Sequence, residues 1–194
     1  MDDNAPQRSF ISHFNLRQIV KWSGFLLIAL FLTIPLRLFV ARPFVVSGDS
    51  MKPDFDQNEY LVIDEISYHF DKPKRGDVII MRYPLDPSKF YIKRIVGLPG
   101  ETLALRSGEV MILGKDGAIN TTLQEPYIAA PSVKESDVTQ LGNDEYYVLG
   151  DNRLVSSDSR AWGPLQEKYI VGRVLARLYP FNEVALFPGR APQQ

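Results

Sequence analysis

Residues 90–96 read F-Y-I-K-R-I-V, and G-L-P-G follows at residues 97–100. β-Branched and aromatic residues favour strands, and a Gly/Pro cluster directly after them is typical of a turn. Side chains alternate between the two faces of a strand, so Tyr91, Lys93 and Ile95 share one face. Burial among apolar neighbours would disfavour the charged form of Lys93 and lower its pKa. The alternative is an edge-strand lysine whose ammonium group reaches solvent.

Short strands of the same kind recur on both sides of this stretch. We predict strands at residues 60–66, 78–83, 146–149 and 170–178, and a hairpin over 103–113. Residues 129–144 are polar and are predicted to be a surface loop, within a small inserted hairpin and loop region at about 102–144. The helical period is weak beyond residue 43. The fold class predicted is therefore mainly β: antiparallel, with a partly closed, β-barrel-like domain at residues 43–194.

Composition excludes several classes of function. The chain has 194 residues and a net charge of −1, so nothing indicates a nucleic-acid partner. It has no cysteine, which excludes disulfides and thiol catalysis, and only two histidines, which is few for a zinc enzyme. We expect no metal and no cofactor. His69 lies in a polar segment and is interpreted as a loop residue rather than a member of a catalytic triad.

The N-terminal region predicts a membrane anchor. Residues 1–21 are polar, whereas residues 22–36 carry no charge. This run is shorter than the roughly 20 residues of a membrane span, but it reaches that length if Arg37 extends to the interface. We predict one N-terminal transmembrane helix at residues 22–42. A cleavable signal peptide and a buried helix are the alternatives, and basic residues on both sides leave the orientation open.

Residues 45–53 read V-V-S-G-D-S-M-K-P and open the globular part of the chain. Gly48 permits unusual backbone dihedral angles, and Pro53 fixes φ and ends any helix there. Such a stretch can hold the hydroxyl of Ser50 in a fixed place at a surface. Taken alone, the stretch favours the alternative, an ordinary turn that leaves an apolar segment.

Residues 150–163 read G-D-N-R-L-V-S-S-D-S-R-A-W-G, a third unusual stretch. An aspartate and an arginine two residues apart, as at Asp158 and Arg160, can brace a loop through a bidentate ion pair. The alternative is a solvated polar loop.

Together and in this order, the three stretches resemble the bacterial type I signal peptidases, or leader peptidases, and R-G-D-V-I-I at residues 75–80 matches a fourth family block. The resemblance covers residues from about 43 to 180. It implies a single-pass protein of the cytoplasmic (inner) membrane, with residues 1–21 inside and an all-β peptidase domain outside. The implied partners are the lipid bilayer and signal-peptide-bearing preproteins, which the enzyme cuts after small residues of an A-x-A type site.

The resemblance also implies roles for individual residues. Carried over position by position, they are the nucleophile Ser50, the general base Lys93, the lysine-orienting Ser156, the ion pair of Asp158 and Arg160, and the pocket or packing residues Tyr91 and Met51. A serine–lysine dyad follows the logic of the serine triad, with a lysine of lowered pKa as the base.

This chain departs from the family pattern at two places. Many members carry Ser or Thr two residues before the nucleophile, where this chain has Gly48. We therefore expect an oxyanion hole made of the Ser50 backbone N–H with Gly48 needed for its conformation, and the Ser47 hydroxyl is the competing donor. Many members also read proline–threonine–leucine where this chain has P-D-F at residues 53–55. That change is expected to alter only the turn.

Three other functions remain to be weighed. A specialised maturation or conjugation peptidase of the same superfamily would share every catalytic motif. An inactive homologue acting as an assembly factor would lack the dyad, whereas Ser50 and Lys93 are both present. A self-cleaving serine–lysine repressor would need a DNA-binding domain, and the sequence gives no sign of one.

Overall fold

The computed structural model describes residues 16–35, 42–130 and 136–191. Contacts divide the chain into two units, residues 1–38 and 39–194. In the first unit, helix α1 runs over Leu16–Pro35 and leaves large apolar side chains exposed, among them Trp22, Phe25 and Phe31. Among the described residues, no helix is long and apolar enough to cross a membrane. The predicted anchor at 22–42 overlaps α1, and its residues 36–41 lie outside the described ranges.

The second unit is built of short strands. In chain order they are β1 (Arg42–Val45), β2 (Tyr60–Asp64), β3 (Val78–Tyr83), β4 (Asp86–Gly97), β5 (Thr102–Arg106), β6 (Glu109–Leu113), β7 (Ile119–Thr122), β8 (Ser136–Gln140), β9 (Glu145–Leu149), β10 (Leu165–Gln166), β11 (Ile170–Tyr179) and β12 (Ala185–Leu186). One short helix, α2 (Ser159–Trp162), lies between β9 and β10.

The strands form two antiparallel sheets. The larger has the order β1-β2-β11-β3-β4-β9-β10, with β12 added to β11, and the smaller has the order β7-β6-β5-β8. The predicted mainly β, antiparallel fold is confirmed. The predicted partial closure into a barrel is not observed, since β1 and β10 stand at opposite ends of the larger sheet and no pairing in the described residues joins them. Local sequence sets strand period, but closure depends on which distant strands meet.

Residues 78–81 of β3 are buried on both faces, which explains their unbroken apolar sequence. Val78 and Ile80 pack in one core cluster, which includes Met51, and Ile79 and Met81 pack in another. Alternation along the strand sends successive side chains to opposite faces, so a strand covered on both sides needs apolar residues at every position. β4 runs beside it and carries the central lysine of the sequence F-Y-I-K-R-I-V.

The smaller sheet occupies the region predicted as an inserted hairpin and loop. The predicted hairpin is present as β5 and β6, paired from Thr102 with Leu113 to Arg106 with Glu109. The prediction of a surface loop at 129–144 was wrong for part of that segment, because β8 pairs with β5. The sequence of β8, S-D-V-T-Q, is polar, and its pairing depends on the edge that β5 offers.

Candidate active site

The loop after β1 carries Ser50 and is fastened to β2 at its start. Val46 N donates to Glu59 O at 2.9 Å, and Asn58 N donates to Val46 O at 2.9 Å. These bonds extend the β1–β2 pairing into the loop. Gly48 then turns the chain with φ of +94°, a value that residues with a β-carbon rarely adopt. The turn delivers Ser50 to the floor of an open cleft.

Lys93 comes from the middle of β4 and lies against Ser50. The distance from Lys93 Nζ to Ser50 Oγ is 2.8 Å, and Nζ also donates to the carbonyl oxygen of Ile92 at 2.8 Å. Lys93 is only 3% exposed. A neutral amine in this position donates one N–H to Ile92 O and accepts the hydroxyl proton of Ser50.

The surroundings of Lys93 favour that neutral amine. Burial lowers its pKa to about 8, and the positive charge of Arg160 acts in the same direction. The carboxylates of Asp158 and Asp151 oppose this shift by stabilising the ammonium form, but burial outweighs them. Of the two alternatives for Lys93, a buried side chain and an edge-strand lysine that reaches solvent, the structure shows the buried one. Its pKa is lowered, as expected when a cation loses its solvation.

The loop between β9 and α2 packs directly on Ser50. Asn152 N donates to Ser50 O at 3.0 Å. A β-carbon at Gly150 would lie 2.5 Å from Ser50 O, so only glycine fits there. Asp158 accepts from Gly150 N at 3.1 Å and from Arg160 Nε and Nη2, both at 2.7 Å. Burial alone would raise the pKa of Asp158, but the Arg160 guanidinium holds it below its usual value.

The cleft around Ser50 and Lys93 has a volume of about 290 Å³ and is lined mainly by apolar side chains. Tyr91 lines it, as predicted for a pocket residue, and its ring lies 5.3 Å from Lys93 Nζ. Met51 does not line the cleft. It is 1% exposed and packs in the core cluster beside Phe55 and Leu61, so the structure corrects its placement in the substrate pocket. The chain turns between Ser50 and Met51, which sends consecutive side chains in different directions.

A family described as "Signal peptidase, peptidase S26" matches residues 19–179. This chain belongs to that family. It is 37% identical over 162 residues to a probable signal peptidase I-1 of Synechocystis sp., covering 80% of each chain. It is 32% identical to signal peptidase I S of Bacillus subtilis, covering 87% of this chain and 93% of that one.

Among solved structures, signal peptidase I of Enterococcus faecalis matches with a TM-score of 0.44 and 28% identity, covering 53% of this chain and 97% of that chain. The curated relatives confirm the family predicted from the sequence motifs, a serine endopeptidase that acts on signal peptides.

The peptidase has a buried ionic cluster next to its lysine that sequence reasoning missed. Arg94 Nε and Nη2 donate to the two carboxylate oxygens of Asp151 at 2.8 and 2.6 Å, and Nη2 also donates to Asp54 at 2.9 Å. The ring of Tyr127 lies 3.9 Å from the guanidinium carbon. The sequence feature that could have revealed this cluster is an arginine in the middle of an apolar strand, because a buried charge requires partners.

Donors for an oxyanion can be located around Ser50. The backbone N–H of Ser50 has no hydrogen-bond acceptor within the described part of the chain. Gly48 has an open space where a β-carbon would be, so its role is conformational rather than one of avoiding a clash. Ser47 is exposed and lines the same cleft. The Ser50 N–H and the Ser47 hydroxyl, the two donors predicted from the sequence, therefore both belong to the loop that lines the cleft.

Ser156 lies beside Gly150, which in turn packs on Ser50. Its hydroxyl oxygen is buried, and its interaction with the Asp158 carboxylate helps to lower the pKa of Asp158. A hydrogen bond from Lys93 to Ser156 thus stays a prediction. A neutral Lys93 that donates one N–H to Ile92 O and turns its lone pair toward Ser50 has a second N–H to donate, and the Ser156 hydroxyl oxygen has a lone pair to accept it.

His69 lies in a short 3₁₀ turn, Ser67–His69, with Nδ1 3.0 Å from Glu65 O, and it does not line the cleft. Among the described residues, no cluster of three or more His, Asp or Glu side chains could hold a metal ion.

Proposed function

We propose that this chain removes signal peptides from exported preproteins by serine–lysine catalysis, with Ser50 as the nucleophile and Lys93 as the general base. The observation that carries the proposal is the 2.8 Å contact between Lys93 Nζ and Ser50 Oγ on the floor of an open cleft. A nucleophile within hydrogen-bond reach of a base of lowered pKa is the arrangement that covalent catalysis requires.

In the first step Lys93 takes the hydroxyl proton of Ser50 as Oγ attacks the scissile carbonyl carbon. The carbonyl becomes a tetrahedral oxyanion next to the Ser50 N–H. Collapse breaks the C–N bond, Lys93 gives its proton to the leaving amine, and an ester joins Ser50 to the acyl group. Lys93 then deprotonates a water that attacks this ester, and Ser50 recovers its proton as the acid leaves.

The pKa of about 8 decides whether Lys93 can serve as the base. At pH 7.5 roughly a quarter of such amines are neutral, against about 0.1% for a lysine of ordinary pKa. Burial thus raises the concentration of the reactive form by about two orders of magnitude. The hydrogen bond to Ile92 O fixes the direction of the amine, and a bond to Ser156 would complete that orientation.

An extended peptide fits the cleft. β1 is an edge strand, paired only with β2 in the described residues, so its other edge is available to a substrate strand. Alternate side chains of an extended peptide point to the same side, toward the apolar lining formed by Phe44, Val46, Leu61, Ile80 and Ile92. The confined space favours small residues at the first and third positions before the cut.

Association with the cytoplasmic membrane is part of this proposal. The apolar side chains exposed on α1, such as Trp22, Phe25 and Phe31, form a surface that a bilayer would cover. We propose that residues 22–42 anchor the chain, with residues 1–21 on the cytoplasmic side and the peptidase domain outside. Accessibility of Lys115, in a turn of the smaller sheet, to an impermeant amine reagent in cells would test the orientation.

Incubation of the purified full-length protein with a preprotein bearing an A-x-A site tests the proposed reaction. We expect cleavage directly after the site, identified by the new N-terminus, and loss of cleavage in Ser50→Ala. Ser88→Ala, in an exposed part of β4, is the control and should cleave normally. If Ser50→Ala, purified free of host peptidase, still cleaved the preprotein at a tenth of the normal rate, Ser50 could not be the nucleophile. Cleavage only of a narrow substrate set would favour the specialised maturation peptidase.

A further inference from the structure

We propose that Asp54 is a positioning residue that holds Ser50 against Lys93 by binding Arg94. This inference rests on the proposed serine–lysine dyad. It assigns a role to the acidic residue in P-D-F at 53–55, the second place where the chain departs from the family pattern. The expectation that this departure alters only the turn was wrong, because the Asp54 carboxylate lies 2.9 Å from Arg94 Nη2.

The contact joins a fully buried arginine to a partly buried aspartate. The Arg94 side chain is 0% exposed and that of Asp54 is 26% exposed. Charge-assisted bonds in such surroundings are stronger and more geometrically defined than ion pairs on an open surface. By comparison, Asp56 on the same loop pairs with Lys52 at 3.3 Å, and both of these side chains are well exposed.

The guanidinium of Arg94 connects the segments that carry the dyad. Arg94 directly follows Lys93 in β4, so any displacement of one is transmitted to the other. Asp54 belongs to the nucleophile loop, where Phe55 N donates to Met51 O at 3.0 Å and closes the turn behind Ser50. The Arg94–Asp54 pair therefore ties the nucleophile loop to the strand of the base.

The third segment reaches Ser50 from the other side. Asp151 accepts two bonds from Arg94, and its neighbour Asn152 donates its N–H to Ser50 O. Ser50 is thus fixed through Asp54 on its C-terminal side and through its own carbonyl group. Because a misplacement of about 1 Å can reduce catalysis about 100-fold, the loss of one tie should be visible in kcat.

Asp54 can be removed without leaving a buried charge unpaired. In an Asp54 variant Arg94 keeps both bonds to Asp151, so the fold should survive. The charged groups that act on the pKa of Lys93 are Asp158, Asp151 and Arg160, and Asp54 is not among them. The acid limb is the low-pH side of the profile of kcat/KM against pH, where activity rises as Lys93 loses its proton. A shift of this limb in an Asp54 variant would therefore report movement of the loop and entry of water rather than the loss of a charge.

The experiment compares Asp54→Ala and Asp54→Asn with the control Asp56→Ala, using full-length protein and a preprotein substrate. We expect kcat of Asp54→Ala to fall about 10- to 100-fold with KM within about threefold of normal. Its acid limb should move to higher pH as Lys93 becomes hydrated. Asp54→Asn keeps an oxygen that accepts from Arg94 and should recover most of the activity, while Asp56→Ala should cleave normally.

Two outcomes would overturn the inference. One is a kcat for Asp54→Ala equal to that of Asp56→Ala. The other is an equal loss of kcat in Asp54→Ala and Asp54→Asn, with an unchanged acid limb and with unfolding at lower urea concentration. That result would show that Asp54 stabilises the fold and does not position Ser50. Ser50→Ala and Lys93→Ala are measured in the same series. If they remain active, the proposed serine–lysine dyad is wrong. If they are inactive while Asp54→Ala is normal, only the positioning role of Asp54 is wrong.

Discussion

Lys93 Nζ and Ser50 Oγ lie 2.8 Å apart, although 43 residues separate them in the chain. The lysine comes from a strand paired on both sides, and the serine comes from the loop that follows the edge strand β1. The contact therefore joins a strand inside the larger sheet to a loop beside its edge.

The pH dependence of cleavage should follow the titration of Lys93. The pKa is lowered to about 8 by burial, so kcat/KM should rise with pH through an acid limb near 8 and lose activity below it. Lys93→Arg should be inactive at every pH, because a guanidinium group does not deprotonate in proteins. An acid limb near pH 10, or an active Lys93→Arg enzyme, would show that another group is the base.

Replacing the buried lysine by an uncharged residue should stabilise the fold at neutral pH. The folded-state pKa is about 8 and the ordinary value is 10.5, so below pH 8 both states are protonated and the folded state bears the full cost of a buried ammonium. That cost is about 3 kcal/mol, and it disappears as pH rises from about 8 to above 10.5. Lys93→Met should unfold at higher urea concentration than the native protein at pH 7 and lose this advantage by pH 11. An advantage that is independent of pH would contradict the assignment.

The two possible donors of the oxyanion hole can be separated by mutation. Gly48 has φ of +94° with open space around it, so Gly48→Ala strains the backbone without a clash. If the hole depends on that conformation, kcat should fall about 10²- to 10³-fold, the usual effect of losing one donor. Gly48→Ser should be no worse. A large loss of kcat in Ser47→Ala beside a nearly normal Gly48→Ala would place the side-chain donor on Ser47.

Gly150 offers a test of how tightly the nucleophile is packed. A β-carbon there would lie 2.5 Å from Ser50 O and would also meet the Ser156 hydroxyl, and the Ser50 backbone cannot give way as a flexible side chain can. Gly150→Ala should lower kcat at least about tenfold by displacing Ser50 from Lys93. The control is Gly114→Ala, whose nearest contact is the movable end of the Asp116 side chain. Normal kcat in Gly150→Ala would mean that the loop tolerates displacement.

Part of the fold was predictable because it depends on local sequence. β3 begins and ends at the predicted residues, since its apolar run is bounded by a turn and a loop, and β9 and β11 differ from prediction by one residue. β8 was missed because its polar sequence carries no strand period of its own, and it is a strand only through its pairing with β5. The open order of the larger sheet was likewise invisible, because it depends on which distant edges pair.

The sequence by itself determined the family, the strand character of the chain beyond residue 43, and the residue types available for chemistry, because motifs and side-chain periods are local properties. Tertiary structure alone decided how those residues are used. It buried Lys93 beside Ser50 and put Met51 in the core instead of the cleft. It also paired Arg94 with Asp54 and Asp151. Desolvation and ion pairing depend on which segments meet in space, and no local pattern encodes that.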